Sequence, residues 1–155
     1  MANLIANANN RKVWRNLTES FPHPYNKRDA EQWIEIATDS GRSVHFAITL
    51  AGQAVGGVGA IAGQGIAERT AQFGYWLGDA YWGNGIATAV AAAFVNYLEG
   101  QRAFARLEAP VFAWNPASMR VLEKVGFHRE GILRNSVSKD GELIDSVMYA
   151  YLIAA

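Results

Sequence analysis

Apolar residues at 4, 5, 8, 13, 14 and 17, set among asparagines and basic residues, predict a helix across Leu4 to Leu17. Phe21-Pro22-His23-Pro24-Tyr25 cannot continue it, because each proline pushes the residue before it into an extended conformation. Asn26 has the position of an N-cap, with Asp29 three residues on, for a helix over Arg28 to Thr38. Trp33, Ile34 and Ala37 mark its expected buried face, and Gly41 ends the segment. Val44 to Leu50 and Ala54 to Ile61 read as strands joined by the hairpin-length connection Ala51-Gly52-Gln53. The second of these is glycine-rich and so weakly specified by its side chains. After the turn signal Gly63-Gln64-Gly65, Ala71 to Leu77 adds a third strand to an antiparallel meander.

The pattern then changes. The run Ile86 to Leu98 is uncharged and too long for a strand, so it is expected to be a helix reaching Glu99 and stopped by Gly100 at C′. Alanines at 87, 89, 91, 92 and 93 predict burial on most of its sides. Arg106 to Trp114 is a strand interrupted by Pro110, which implies an edge, a bulge or a strand splayed from its neighbour. Asn115 as N-cap and Pro116 at N1 open a helix that runs to Val125 and stops at Gly126. Phe127 to Arg134 and Leu143 to Ile153 are the last strands, with Lys139-Asp140-Gly141 as the turn between them. The order α-α-β-β-β-α-β-α-β-β predicts one mixed α/β domain over residues 1–155, with a largely antiparallel sheet.

Composition narrows the function classes. Half of the 155 residues are apolar and 18% are charged, as in an ordinary globular chain. Lysine plus arginine equals aspartate plus glutamate at 14 each, so no overall field points to nucleic acid or to an anionic membrane. The chain has no cysteine, which removes disulfides, thiolate metal sites and a cysteine nucleophile. His23, His45 and His128 are scattered without ligand spacing and read as structural, and no metal is expected. No secretory signal is visible at the N-terminus, and the uncharged run Ile86 to Leu98 is too short to span a bilayer. A cytoplasmic setting is the default.

The candidate chemistry begins at Tyr75 to Thr88, where an aromatic strand runs through Gly83-Asn84-Gly85 into a helix start. Unpaired amides and the positive end of the helix dipole together suit a phosphate or pyrophosphate. The same glycines also serve a plain tight turn. A Walker A loop is excluded, since no lysine follows Gly85. In a dinucleotide fingerprint Thr88 stands at the third small position, and Glu108, about 25 residues past Gly83, imitates the ribose-binding acid. The meander upstream and the short chain argue against that reading.

Trp82-Gly83-Asn84-Gly85-Ile86-Ala87 is followed, one strand later, by Asn115-Pro116-Ala117-Ser118 and then by Gly126-Phe127. The pair resembles the GNAT superfamily of N-acetyltransferases. With Gly74-Tyr75-Trp76-Leu77 and Glu130-Gly131, the wording is similar to its RimJ/RimL-like branch. The resemblance covers nearly the whole chain in order and implies the acyl-CoA N-acyltransferase fold, a mixed, mostly antiparallel sheet with splayed central strands flanked by helices. It departs from the family pattern in three places. Trp82 replaces a polar residue, Leu122 stands where many members carry a tyrosine, and the family's first strand is missing unless the true start lies upstream.

The resemblance implies acetyl-CoA as co-substrate, bound by a loop of Trp82, Gly83, Asn84, Gly85, Ile86, Ala87 and Thr88, with amides from about Asn84 to Thr88 holding its pyrophosphate. The pantetheine arm would lie by Trp76 and Leu77, with Asn115 on its other side, a role compatible with a plain N-cap. Ser118 would donate a hydrogen bond to the departing thiolate; its simpler role is a second cap. Glu108 is the family-like candidate for a base acting through water, and otherwise a surface glutamate. Asp145 and Glu68 are fallbacks with no motif behind them. Phe21 and Tyr25 would line the acceptor pocket, or else pack an interhelix connection. The acceptor implied is a primary amine, of a protein N-terminus or a small molecule, taken by direct attack in a ternary complex. Two competing functions are a non-catalytic acyl-CoA-binding module and, more weakly, a nucleotide-binding oxidoreductase. A homodimer is common in the family.

Overall fold

The computed structural model describes residues 1–39 and 41–154. Ala155, the last residue of the expected domain, lies outside them. Six strands form one sheet in the order β1-β2-β3-β4-β6-β5. They are β1 (Val44–Leu50), β2 (Gln53–Ala62), β3 (Thr70–Leu77), β4 (Arg106–Phe112), β5 (His128–Lys139) and β6 (Glu142–Leu152). Neighbours are antiparallel except β3 and β4, which run parallel.

That parallel pair is short. It holds only at Thr70–Arg106, Ala71–Leu107 and Gln72–Glu108. Beyond it, β3 stays paired with β2 as far as Leu77, and β4 stays paired with β6 as far as Phe112. Each strand keeps its outer partner and loses the inner one, so a gap opens between them. Pro110, with no N–H to give, stands in the part of β4 that has no β3 partner, as the sequence expectation of a splayed strand requires.

Helices α4 (Ile86–Gln101) and α5 (Pro116–Val125) pack on one face of the sheet. Phe73, Phe94, Leu98, Leu107, Leu122 and Phe127 belong to the single large core between them. The other face carries α1 (Ala2–Ala8) and α3 (Lys27–Thr38), over a smaller cluster of Leu4, Ala8, Tyr25 and Ala30. Trp76 and Phe21 pack against that cluster. The glycines of β2 let it lie close against Trp76 of β3. A Cβ on Gly57 would stand 2.9 Å from the Trp76 indole nitrogen, and one on Gly56 would stand 2.3 Å from the Trp76 carbonyl oxygen.

Several sequence expectations are corrected. The helix expected over 4–17 is two pieces, α1 and α2 (Arg11–Trp14), because the Asn10 side chain accepts from the Lys12 N–H at 2.9 Å and restarts the helix. In α3 the capping box between Asn26 and Asp29 forms as expected, but Ala30 is the buried residue, while Trp33 is 39% and Ile34 43% exposed. Trp33 meets His45 of β1 edge-on at 5.0 Å instead of entering the core. Helix α4 passes through Gly100 and ends at Arg102, which takes the left-handed conformation itself (φ 53°). It is buried along Ala91, Phe94, Val95 and Leu98, whereas Ala89, Ala93, Asn96 and Tyr97 are exposed, because only one side of it meets the sheet. Strand β5 begins one residue later than expected and runs five residues further, to Lys139, by way of two register shifts.

Candidate functional site

At the end of β3 the chain makes a 3₁₀ turn, Asp79–Tyr81, and then folds back on itself. The Trp82 indole N–H donates to the Leu77 carbonyl at 2.8 Å, which pins the loop to the strand it has just left. Asn84 spends its side-chain amide on the carbonyls of Tyr81 (3.3 Å) and Trp82 (3.1 Å). Gly83 and Gly85 both have φ +76°, and a Cβ on either would meet nothing within 4 Å. Backbone conformation, not crowding, is therefore what requires glycine at these positions.

Gly85 is the N-cap of α4 and brings no side-chain cap, whereas α3 and α5 each start on a capping asparagine. The first-turn amides, around Ile86, Ala87 and Thr88, are left at the positive end of a 16-residue helix with no side-chain acceptor at the cap. Lys12 lies near this loop through its bond to Asp79 at 3.2 Å, and that bond holds the Asp79 carboxyl below its usual range.

The start of α5 is built as expected. The Asn115 side-chain oxygen accepts from the Ser118 N–H at 3.2 Å, and Pro116 occupies the first turn. Capping uses the oxygen of Asn115 and leaves its amide N–H₂ group to serve another partner. The Ser118 hydroxyl lies 3.0 Å from the phenol oxygen of Tyr75, so α5 is joined to β3. Burial pushes the Tyr75 phenol up, and its bond to Ser118 opposes that shift. Leu122, one turn further along α5, is 1% exposed.

Glu108 lies elsewhere. Leu107, Ala109 and Val111 enter the core beneath α4 and α5, so by strand alternation Glu108 is on the opposite face, as is Trp76 on β3. Its carboxylate accepts from the Arg106 Nε at 2.8 Å. Arg106 also grips Glu130 on β5, which holds the Glu130 carboxyl down and pushes the guanidinium up. The two residues expected to be catalytic thus sit on different faces of the sheet, Ser118 above the splayed strands and Glu108 below them.

On that lower face Phe21 stacks on Tyr25 with centroids 5.1 Å apart and meets Trp76 edge-on at 5.3 Å. Both residues line a cleft of about 130 Å³ together with Ser20, Asp29 and Trp33. Tyr25 is also 3% exposed, and burial, with Asp29 nearby, pushes its phenol up. Phe21 and Tyr25 therefore pack this interhelix connection and also line a cleft beside it. A larger apolar cleft of about 310 Å³ lies between β1 and α4, lined by Phe46, Ile48, Phe94 and Tyr97, away from the loop and the α5 start.

Sequence reasoning missed Tyr75 as a site residue, although it quoted the residue within its motif. The available signal was its place in a strand whose alternate residues, Phe73 and Leu77, are core: a phenol there needs a partner for its hydroxyl. Asp145, held in reserve as a base, accepts from the Asn135 N–H at 2.8 Å. Glu68, the other reserve, pairs with Arg42 at 3.6 Å.

Comparison with known proteins is consistent with this geometry. Residues 1–128 match the model of the acetyltransferase (GNAT) domain family. The chain is 43% identical over 86 residues to the probable N-acetyltransferase YjcK of Bacillus subtilis (strain 168), covering 56% of this chain and 48% of that protein. It spans about half the length of the curated relatives it matches first. Among solved structures, RimL, a ribosomal L7/L12 alpha-N-protein acetyltransferase in complex with coenzyme A, superposes with a TM-score of 0.83 at 22% identity. That match covers 98% of this chain and 88% of RimL. Spermidine N-acetyltransferase from Vibrio cholerae, in complex with CoA and spermine, gives 0.80 at 21% identity, with 96% and 87% covered. At these identities the structural likeness is a likeness of fold. Among the described residues no helix is long and apolar enough to cross a membrane.

Proposed function

The chain belongs to the GNAT acetyltransferase domain family, and from that premise we propose that it transfers an acetyl group from acetyl-CoA to a primary amine by direct attack in a ternary complex. The observation that carries the reading is the gap between β3 and β4, with the uncapped start of α4 and the Asn115–Ser118 start of α5 at its borders. A pyrophosphate needs several converging amides and no competing side chain, and the turn from Gly83 to Thr88 offers that environment. Trp76 and Leu77 line the end of β3 along which the pantetheine arm would run, and the free amide of Asn115 can donate to it from the opposite border. Ser118, at the same border, would donate its hydroxyl to the sulfur as the thioester breaks.

The amine would arrive from the face that carries Phe21, Tyr25, Trp76 and Glu108. Glu108 would take its proton through water, although it is already engaged by Arg106. An α-amino group, with a pKa near 8, needs less help than a lysine near 10.4. A protein N-terminus, the kind of acceptor that the RimL structure names, is therefore our first choice. A small amine such as a polyamine, as in the Vibrio enzyme, is the second. A cytoplasmic setting and a homodimer belong to the same proposal; light scattering tests the latter.

Calorimetric titration with acetyl-CoA and with NAD, followed by CoA release over a panel of amines, tests the reading. Acetyl-CoA should bind and NAD should not. Binding without turnover on any N-terminal peptide or polyamine would leave an acyl-CoA-binding module in place of an enzyme.

A further inference from the structure

The hydroxyl pair Tyr75–Ser118 has a direction that the mechanism above does not use. Its oxygens are 3.0 Å apart, and either atom can donate in principle. A phenol, with a pKa near 10, is a far stronger acid than an alkyl hydroxyl and correspondingly a poorer acceptor. The favoured arrangement has Tyr75 donating and the Ser118 oxygen accepting. Burial outweighs the opposing effect of the Ser118 bond and leaves the Tyr75 phenol raised, so it keeps the proton it donates across the neutral range. The Ser118 backbone N–H is committed to Asn115. With its oxygen fixed by Tyr75, the serine has one remaining free element, its own O–H.

We propose that Tyr75 is a positioning residue that orients the Ser118 hydroxyl proton toward the thiol sulfur of coenzyme A. The inference rests on the acetyltransferase reading above and gives this chain a phenol from β3 where Leu122 leaves α5 without one. In the transfer step the amine nitrogen bonds to the acyl carbon, the carbon–sulfur bond breaks, and its electron pair stays on sulfur. The thiolate accepts a hydrogen bond from Ser118, whose oxygen accepts in turn from Tyr75, so both bonds strengthen as charge develops. The proton lost by the amine leaves on the Glu108 face, and the thiolate is protonated by solvent on release. Tyr75 itself transfers no proton: a phenol near 10 is a weaker acid than a thiol near 8.5.

Two measurements test this, one of them independent of turnover. The pKa of the CoA thiol bound to the protein, followed by thiolate absorbance, should lie below that of free CoA. In Tyr75→Phe it should rise by about one unit, back toward the free value. An unchanged thiol pKa in the variant, with CoA still bound, overturns the proposal. For turnover, Tyr75→Phe should lower kcat about tenfold, the loss of one hydrogen bond, while KM for acetyl-CoA changes less than about twofold. Adding Tyr75→Phe to Ser118→Ala should cost nothing more, because Tyr75 acts only through the serine. An additive loss would make Tyr75 a packing residue. If the native chain lowers the bound thiol pKa but no amine is acetylated, the acetyltransferase reading fails while the hydroxyl relay stands.

Discussion

Gly85→Ala isolates what the loop before α4 contributes. Gly85 has φ +76°, and a Cβ there would meet nothing within 4 Å, so the whole cost of alanine is conformational. Holding an L-residue in the left-handed region costs roughly 1–2 kcal/mol. For a domain of this size each kcal/mol lowers Tm by about 2–4 °C, so a fall of roughly 2–8 °C is expected. Binding should suffer more. If alanine escapes the strain by leaving the left-handed region, the first amides of α4 are aimed elsewhere. Each amide bond to a charged phosphate is worth about 1.5–3 kcal/mol, so losing one weakens acetyl-CoA binding about tenfold or more. Thermal melting and calorimetry read the two effects separately. Gly100→Ala is the internal control: it sits inside the same helix, exposed and with open space at its Cβ, and should gain about 0.5–1 kcal/mol. A Gly85→Ala chain that melts lower but binds acetyl-CoA as before would refute the role of this loop. A destabilised Gly100→Ala would refute the helix end at Arg102.

Other expectations follow from single contacts. Trp82→Phe keeps an aromatic ring but loses the bond to the Leu77 carbonyl, and should weaken acetyl-CoA binding a few-fold with a stability loss of about 1 kcal/mol, by calorimetry and melting. Leu122→Ala removes a 1%-exposed side chain from the core below Ser118 and should cost about 2–5 kcal/mol in denaturant unfolding. Tyr25, Tyr75, Tyr149 and Tyr151 all have phenols pushed above the ordinary 10.0, the first three chiefly by burial and Tyr151 chiefly by its bond to Glu99. A raised acid is held protonated by the fold. The stability it contributes is therefore complete below pH 10.0, the ordinary value, and lost as pH rises through the folded values. Tm should fall on the alkaline side of pH 10.0, and less steeply in Tyr151→Phe; an unchanged alkaline slope in that variant would contradict the Tyr151 assignment.

How much the sequence revealed depended on how local each determinant was. Helix α5 was readable in full, because Asn115, Pro116 and Gly126 act through their own backbone and their neighbours. Apart from the family resemblance, the gap between β3 and β4 was legible through Pro110, which announces a missing donor but not which partner is missing. The helix expected over 4–17 failed at Asn10, where a local side-chain bond overrode a spacing that looked helical. The expected burial of Trp33 and Ile34 failed for the opposite reason: which side of α3 is covered depends on how α1 and β1 sit against it, and no spacing within α3 contains that. The Tyr75–Ser118 bond joins residues 43 apart in sequence, so neither motif could reveal it alone.

The sheet itself sorts the proposed chemistry. Ser118, Tyr75 and Leu122 belong with α4 and α5, while Trp76, Phe21, Tyr25 and Glu108 belong to the face covered by α1 and α3. Under the acetyltransferase reading, the route between the faces is the opening where β3 and β4 part. The thiol then leaves on one side and the amine enters on the other, so the two ends of the reaction are served by different sets of residues. Cofactor affinity should accordingly respond to the loop at 82–88 and to the start of α5. Choice of amine should respond to Phe21, Trp33 and Asp29 around the smaller cleft. The packing of Phe21 on Trp76 is a place where the two sets touch, since Trp76 would border the pantetheine arm through its strand and the acceptor through its ring. A substitution at Trp76 should therefore alter both acetyl-CoA binding and amine choice, where substitutions on either side alter only one.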